Sequence, residues 1–210
     1  MSIPRFLILF LIFCLSADFL CAGSEKLPEV NAFFKKMENV TTLSCHFSQE
    51  QQIAGLKQPI RLHGRFYMTG QGDLAWIVRA PVRFYCIIRK GRLTTWDGET
   101  AARREIDLKE HPAFSTMIGM MKDFFAGRIK VDRDYKCTLV SAVKIKLIPL
   151  KHSPLAGNVA QIEITLSPDR RHISVVRISG CNGDRNTMHF KNVVLDASIP
   201  ESVWKNGEPQ

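Results

Sequence analysis

The chain has little that would make it a membrane span, a metal site or a familiar enzyme. Its longest apolar run, residues 6–15, is ten residues; a spanning helix needs about 20. It has no CxxC pair, so zinc-ligand spacing is absent. GxSxG, HExxH, the phosphate-binding loop and the dinucleotide fingerprint are all missing. Histidines at 46, 63, 111, 152, 172 and 189 are scattered, and the acidic residues are dispersed among turns. Without a nucleophile, a base or a ligand set in a recognisable pattern, the sequence reads as a non-enzyme with no metal and no cofactor.

The N-terminus reads as a targeting segment. Arg5 precedes residues 6–15, and small residues follow at Ser16, Ala17, Ala22, Gly23 and Ser24. A positive start, a short apolar stretch and a small-residue exit describe a secretory signal, cut after Ala22 or after Ser24. Residues 23–210 then form one domain. The removed piece carries Arg5 and Asp18, so the charge of +9 is unchanged. A basic exported protein meets anionic headgroups or polyanions, or carries a solvated charged face. Basic residues come as pairs, Arg103-Arg104 and Arg170-Arg171, with no aromatic-and-basic nucleic-acid motif between them. Nucleic acid is not an expected partner. Cys45, Cys86, Cys137 and Cys181 remain after cleavage. They allow three disulfide connectivities, or free buried thiols, and both readings stay open.

Periodicity organises the rest. Leu27, Val30, Phe34 and Met37, widened by Phe33, give a helical stripe, with Ser24 able to cap it and Pro28 tolerated in its first turn. The period then falls to two. Leu43, Cys45, Phe47 and Ile53 share a face that Gln49 and Gln51 interrupt. Ile60, Leu62, Phe66 and Met68 alternate with Arg61, His63, Arg65 and Tyr67; Leu74, Trp76 and Val78 follow. In RAPVRFYCIIRKGRLTTWDG, Val82, Phe84, Cys86 and Ile88 oppose Arg83, Tyr85, Ile87 and Arg89, as a strand with one dry face requires. Lys90-Gly91 and Asp97-Gly98 read as hairpin turns. Further strands are expected over 136–141, 143–148, 159–166, 173–179 and 187–195, between turns at Ser153-Pro154, Ser167-Pro168-Asp169 and Asn182-Gly183-Asp184.

One segment interrupts the strands. Phe114, Met117, Ile118, Met121, Phe124 and Phe125 form a helical stripe that Gly127 ends. It carries three methionines in five residues, which suit a surface that repacks around variable partners. The fold class is therefore α+β, mainly β. A curled antiparallel sheet is an incomplete barrel, and helices cover its concave apolar face. Phe47, Phe66, Trp76 and Phe84 share that face if adjacent strands pair in register.

The order HFSQEQQI, HGRFYM, GDLAWIVRAP, IIRKGRLTTWDGE, the Met-rich helix with FFAG, KIKLIPL, IEITLSP, GDRNTMHFKNV and IPESVW resembles the LolA family of periplasmic lipoprotein carriers. The likeness runs from Leu27 to about Trp204. It implies a periplasmic monomer whose half-barrel shields the acyl chains of a lipoprotein or other lipid-linked cargo. It also implies an inner-membrane transporter that loads it and an outer-membrane receptor that unloads it. The acyl chains would sit in an apolar cavity under the helices, lined by Phe47, Leu62, Phe66, Trp76, Phe84, Ile88, Met117 and Met121. The family's carriers place Arg-Pro after the strand matching GRFYM, and that arginine holds the lid; here the place reads Thr69-Gly70, and Arg79 falls on the next strand. The competing expectation is an envelope interaction module with a packed core, binding proteins or polyanions through its basic surface.

Overall fold

The computed structural model describes residues 27–111, 119, 122–128, 134–153 and 155–206. Eleven strands form one antiparallel sheet: β1 (Thr42–Gln52), β2 (Ile60–Thr69), β3 (Leu74–Ala80), β4 (Phe84–Arg89), β5 (Arg92–Asp97), β6 (Arg103–Asp107), β7 (Tyr135–Ser141), β8 (Lys144–Pro149), β9 (Val159–Leu166), β10 (Ile173–Gly180) and β11 (Arg185–Leu195). Helix α1 spans Leu27–Phe34, a 3-10 turn spans Leu108–Glu110, and α2 spans Val203–Asn206.

Across the sheet the order is β6-β5-β4-β3-β2-β1-β11-β10-β9-β8-β7. The first six strands are laid down outward from the centre. The last five return from the opposite rim until β11 pairs with β1, from Leu43↔Leu195 to Gln52↔Arg185. Among the described residues the free edges are thus β6 and β7, and the chain between them joins the two rims of an unclosed, curled sheet. Residues 119 and 122–125 of that connection are helical, where the Met-rich stripe predicts a helix. Met117 and Met121 lie outside the described residues.

Gly127 ends this helix as its sequence predicts. It sits at φ +71°, its N–H donates to Phe124 O at 3.3 Å, and Arg128 N–H donates to Asp123 O at 2.8 Å. That pair of bonds is a Schellman closure, and the left-handed backbone favours glycine. A Cβ there would lie 3.0 Å from Phe34 O and from the Met37 Cβ, so the helix end seats directly on α1 and its turn.

Edge β6 carries Arg103, Arg104 and Glu105, all exposed. Charged side chains on a free edge discourage pairing with another chain.

Three sequence expectations need correction. The strand quoted above has no wet face. Phe84 and Ile88 are buried on one side, and Tyr85 and Ile87 on the other. A second core of Tyr67, Ala75, Ile77, Tyr85, Ile87 and Val203 covers the outer face, with Ile199 and Trp204 packed on it. In the sequence the tail figures only as the IPESVW motif, with no face assigned to it, so this plug is not expected there. Asp97-Gly98 is not a two-residue hairpin. Residues 98–102 form a loop, and Asp97 Oδ1 accepts from the N–H groups of Glu99 and Thr100 at 2.9 and 3.1 Å. Side-chain capture of turn amides lets Asp hold a longer loop. Lys90-Gly91, by contrast, has φ of +50° and +76°, as a tight primed turn needs. Finally, α1 stops at Phe34, and Met37 reaches the same core from the turn that follows.

Candidate functional site

The inner face is built by register. Cys45 pairs with Phe66, Phe66 with Trp76, and Trp76 with Cys86. One row along, Phe47 pairs with Gly64, Gly64 with Val78, and Val78 with Phe84. Paired residues share a face, so the sequence-predicted residues Phe47, Leu62, Phe66, Trp76, Phe84 and Ile88 meet in one hydrophobic cluster, each 9% exposed or less. Strands β8 to β11 extend it with Ile145, Leu147, Ile162, Ile164, Val176, Met188 and Phe190, which the sequence reading did not single out. The alternation along those strands was the signal available for them.

The rings form a continuous contact set. Phe47 lies 4.1 Å from Trp76, and Phe66 lies 5.4 Å from Trp76. Phe125 from the helical connection reaches in, 4.5 Å from Phe66 and 5.3 Å from Phe190. Phe66 is 0% exposed under it. Phe125 itself is half-buried. Its contacts to the sheet are therefore side-chain contacts made by a separate helix, without a place in the strand ladder.

Covers also come from α1. Val30, Phe33 and Phe34 are buried in the same cluster. Arg170, in the β9–β10 turn, donates to Ala32 O at 2.7 Å and stands 5.7 Å over the Phe33 ring. Asp196 ties the start of β1 to the end of β11. Its Oδ1 accepts from Thr41 N–H at 2.9 Å, and Arg171 bonds its Oδ2 at 2.5 Å. The Thr41 backbone donor, more than any other group, holds this carboxyl below its usual range.

The face is apolar but not wholly so. Gln49 and Gln51 project inward at 2% and 6% exposure, and Gln49 Nε2 donates to Asn186 Oδ1 at 3.1 Å. Among the described residues, Cys45, Cys86 and Cys181 are free thiols. Burial pushes the Cys45 and Cys86 thiols up to about 12, so neither is a thiolate nucleophile near neutrality.

The outer face carries different chemistry. A cavity of about 430 Å³ is lined by His46, His63, Arg65, Arg79 and Lys191 together with Phe47, Ser48, Gly64 and Asn192, and no carboxylate lines it. A second, of about 470 Å³, lies between the outer face of β3 to β5 and Asn206. Arg79 lines both cavities, so its side chain belongs to the side away from the covers. Where the family arginine would stand, Thr69 closes a turn on itself: Gly72 N–H donates to Thr69 O at 2.8 Å, and Asp73 N–H to Thr69 Oγ1 at 3.1 Å.

Several solved structures are similar to this chain. MucB from Pseudomonas aeruginosa, in its complex with MucA, matches at 12% identity and a TM-score of 0.52, covering 84% of this chain and 60% of that one. This chain thus spans about three fifths of the length of MucB. An uncharacterized conserved protein from Thermus thermophilus matches at 9% identity and a TM-score of 0.52, covering 85% of this chain and 93% of that one. A LolA superfamily protein from Nitrosomonas europaea matches at 7% identity and a TM-score of 0.40, covering 83% and 96%. No curated protein sequence matches the chain. The family model described as outer membrane lipoprotein carrier protein LolA matches residues 38–206, which contain all eleven strands. The chain belongs to the LolA family.

Proposed function

We propose that the protein is a periplasmic carrier whose inner face takes the acyl chains of a lipoprotein or other lipid-linked cargo. In this reading residues 1–22 direct export and are removed. Phe47, Leu62, Phe66, Trp76, Phe84, Ile88, Met117 and Met121 line the acyl path. The protein loads at the inner membrane and unloads at the outer membrane. The observation that carries the reading is the Phe66–Phe125 contact. The innermost ring of the face is sealed by a side chain from the helical residues 122–125, which lie outside the strand ladder.

The energetics favour exchange. Phe125 is half-buried, so lifting it off its contacts costs less than the about 1.5–3 kcal/mol of a fully buried phenylalanine, while burying a methylene returns about 0.8 kcal/mol. Roughly four methylenes more than offset the displaced ring. A long acyl chain brings more than ten, so cargo wins over the cover. Membership of the family and the apolar half-barrel both support the reading.

The basic outer cavity supports a second contact, with an anionic membrane surface or an acidic protein partner. MucB, which shares the fold, is seen in complex with MucA. Three cations and two imidazoles without a carboxylate set a positive field there.

Mass spectrometry of protein purified without detergent, with displacement of a fluorescent fatty-acyl probe, tests the carrier role. Bound lipid and saturable probe binding are expected. Protein free of lipid that ignores the probe would overturn the reading and leave the packed interaction module.

A further inference from the structure

One row of the inner face breaks its own chemistry. Leu62 of β2, Gln49 of β1, Met188 of β11, Val176 of β10 and Ile164 of β9 pair in turn across the sheet. Gln49 is the polar member, and it is 98% buried among them, at 2% exposure. Its Nε2 donates to Asn186 Oδ1, but its Oε1 has no partner. Gln51, one inward position along β1, pairs in register with Asn186 and is also buried. Three carboxamides therefore face the apolar interior together. A filled core would favour leucine at 49, because an unpaired buried acceptor is a cost that an apolar residue of similar size avoids.

We infer that Gln49 recognises a hydrogen-bond donor at the head of the acyl cargo, and that the donor is the N–H of an amide-linked acyl chain. This rests on the carrier reading above. An ester or a bare hydrocarbon offers Oε1 no donor. A secondary amide offers an N–H for Oε1, and a C=O that the Gln51 or Asn186 carboxamide can meet. The aromatic cluster of Phe47, Phe66 and Trp76 lies further along the same face, where the chain beyond the amide would run.

The test uses an isosteric ligand pair, N-methyl dodecanamide and methyl dodecanoate, each displacing a fluorescent acyl probe from the detergent-free protein. The amide is expected to displace at roughly tenfold lower concentration, which corresponds to about 1.4 kcal/mol. Gln49→Met and Gln49→Leu should bring the two ligands to parity, chiefly by weakening the amide, while both variants melt at or above the parent temperature. Equal displacement in the parent protein overturns the inference and leaves the carrier reading standing. So does a preference that survives both variants. Failure of both ligands to displace the probe overturns the carrier reading as well.

Discussion

The Phe47 and Trp76 rings lie 4.1 Å apart, tilted by 33°, across the position of Gly64. A Cβ on Gly64 would fall 1.8 Å from Ile77 O and 2.9 Å from Phe47 Cε1. The close approach coincides with a register shift between β2 and β3 at His63/Gly64, and glycine commonly marks such a site. Gly64→Ala must move backbone, not only a flexible side chain. It is expected to lose about 3 kcal/mol, read as a fall in the urea midpoint without a change in slope. An unchanged midpoint would mean that the strand spacing is looser than described.

Phe125 makes the cover. It is half-buried, so Phe125→Ala should cost less than the about 3–5 kcal/mol typical of a core phenylalanine. The larger effect is on access: fluorescent acyl probe should associate several-fold faster. Hydrogen exchange should rise at residues 122–128 and stay low on β1 to β3. Slower association would assign Phe125 to cargo contact rather than to sealing.

The outer-face plug depends on apolar contact more than on charge. Val203 is 0% exposed, whereas Arg89 pairs with an exposed Glu201, lies 3.6 Å from Asp73 and stands 5.5 Å over Trp204. Exposed ion pairs contribute at most about 1 kcal/mol. Val203→Ala is expected to cost about 2 kcal/mol, and Glu201→Gln to lower the melting temperature by a smaller amount, in thermal denaturation. The reverse order would show that the ion pair holds the tail.

Thiol chemistry should follow burial. Cys181 is exposed and Cys45 and Cys86 are held near 12. At pH 8, in protein lacking residues 1–22, a thiol-reactive dye should label Cys181 first and reach Cys45 and Cys86 only on unfolding. The pH dependence has a definite sign. The folded thiols titrate above the about 8.5 of an unfolded chain. Their stabilising contribution is complete below that value and is lost as pH rises towards about 12. Cys45→Ala with Cys86→Ala should flatten the decline in stability between pH 9 and 11, and an equally steep decline would point to other groups.

The strands were legible because their alternation is strong: Phe66, Leu74 and Trp76 report a buried face without knowledge of their partners. The inner-face residues on β1 to β4 followed from that alternation once strands were assumed to pair in register. Phe190 and Met188 were equally readable in period but stand far along the chain. Only the β1–β11 pairing, a non-local fact, brings them beside Phe47 and Gln49. The outer plug was hidden for a similar reason. Val203 and Trp204 sit in a four-residue helix too short to show a period, and Tyr85 and Ile87 reveal a second dry face only once something covers them. The interruption at Gln49 and Gln51 was visible in the sequence; its burial and its unpaired oxygen needed coordinates.

Photo-crosslinking with a diazirine-bearing acyl chain, followed by mapping of the adducts, tests the central claim most directly. Adducts on Phe47, Phe66, Trp76 and Phe190, competed away by unlabelled acyl ligand, are the predicted result. Adducts confined to the outer face around Tyr85 and Trp96, or none that competition removes, would contradict it.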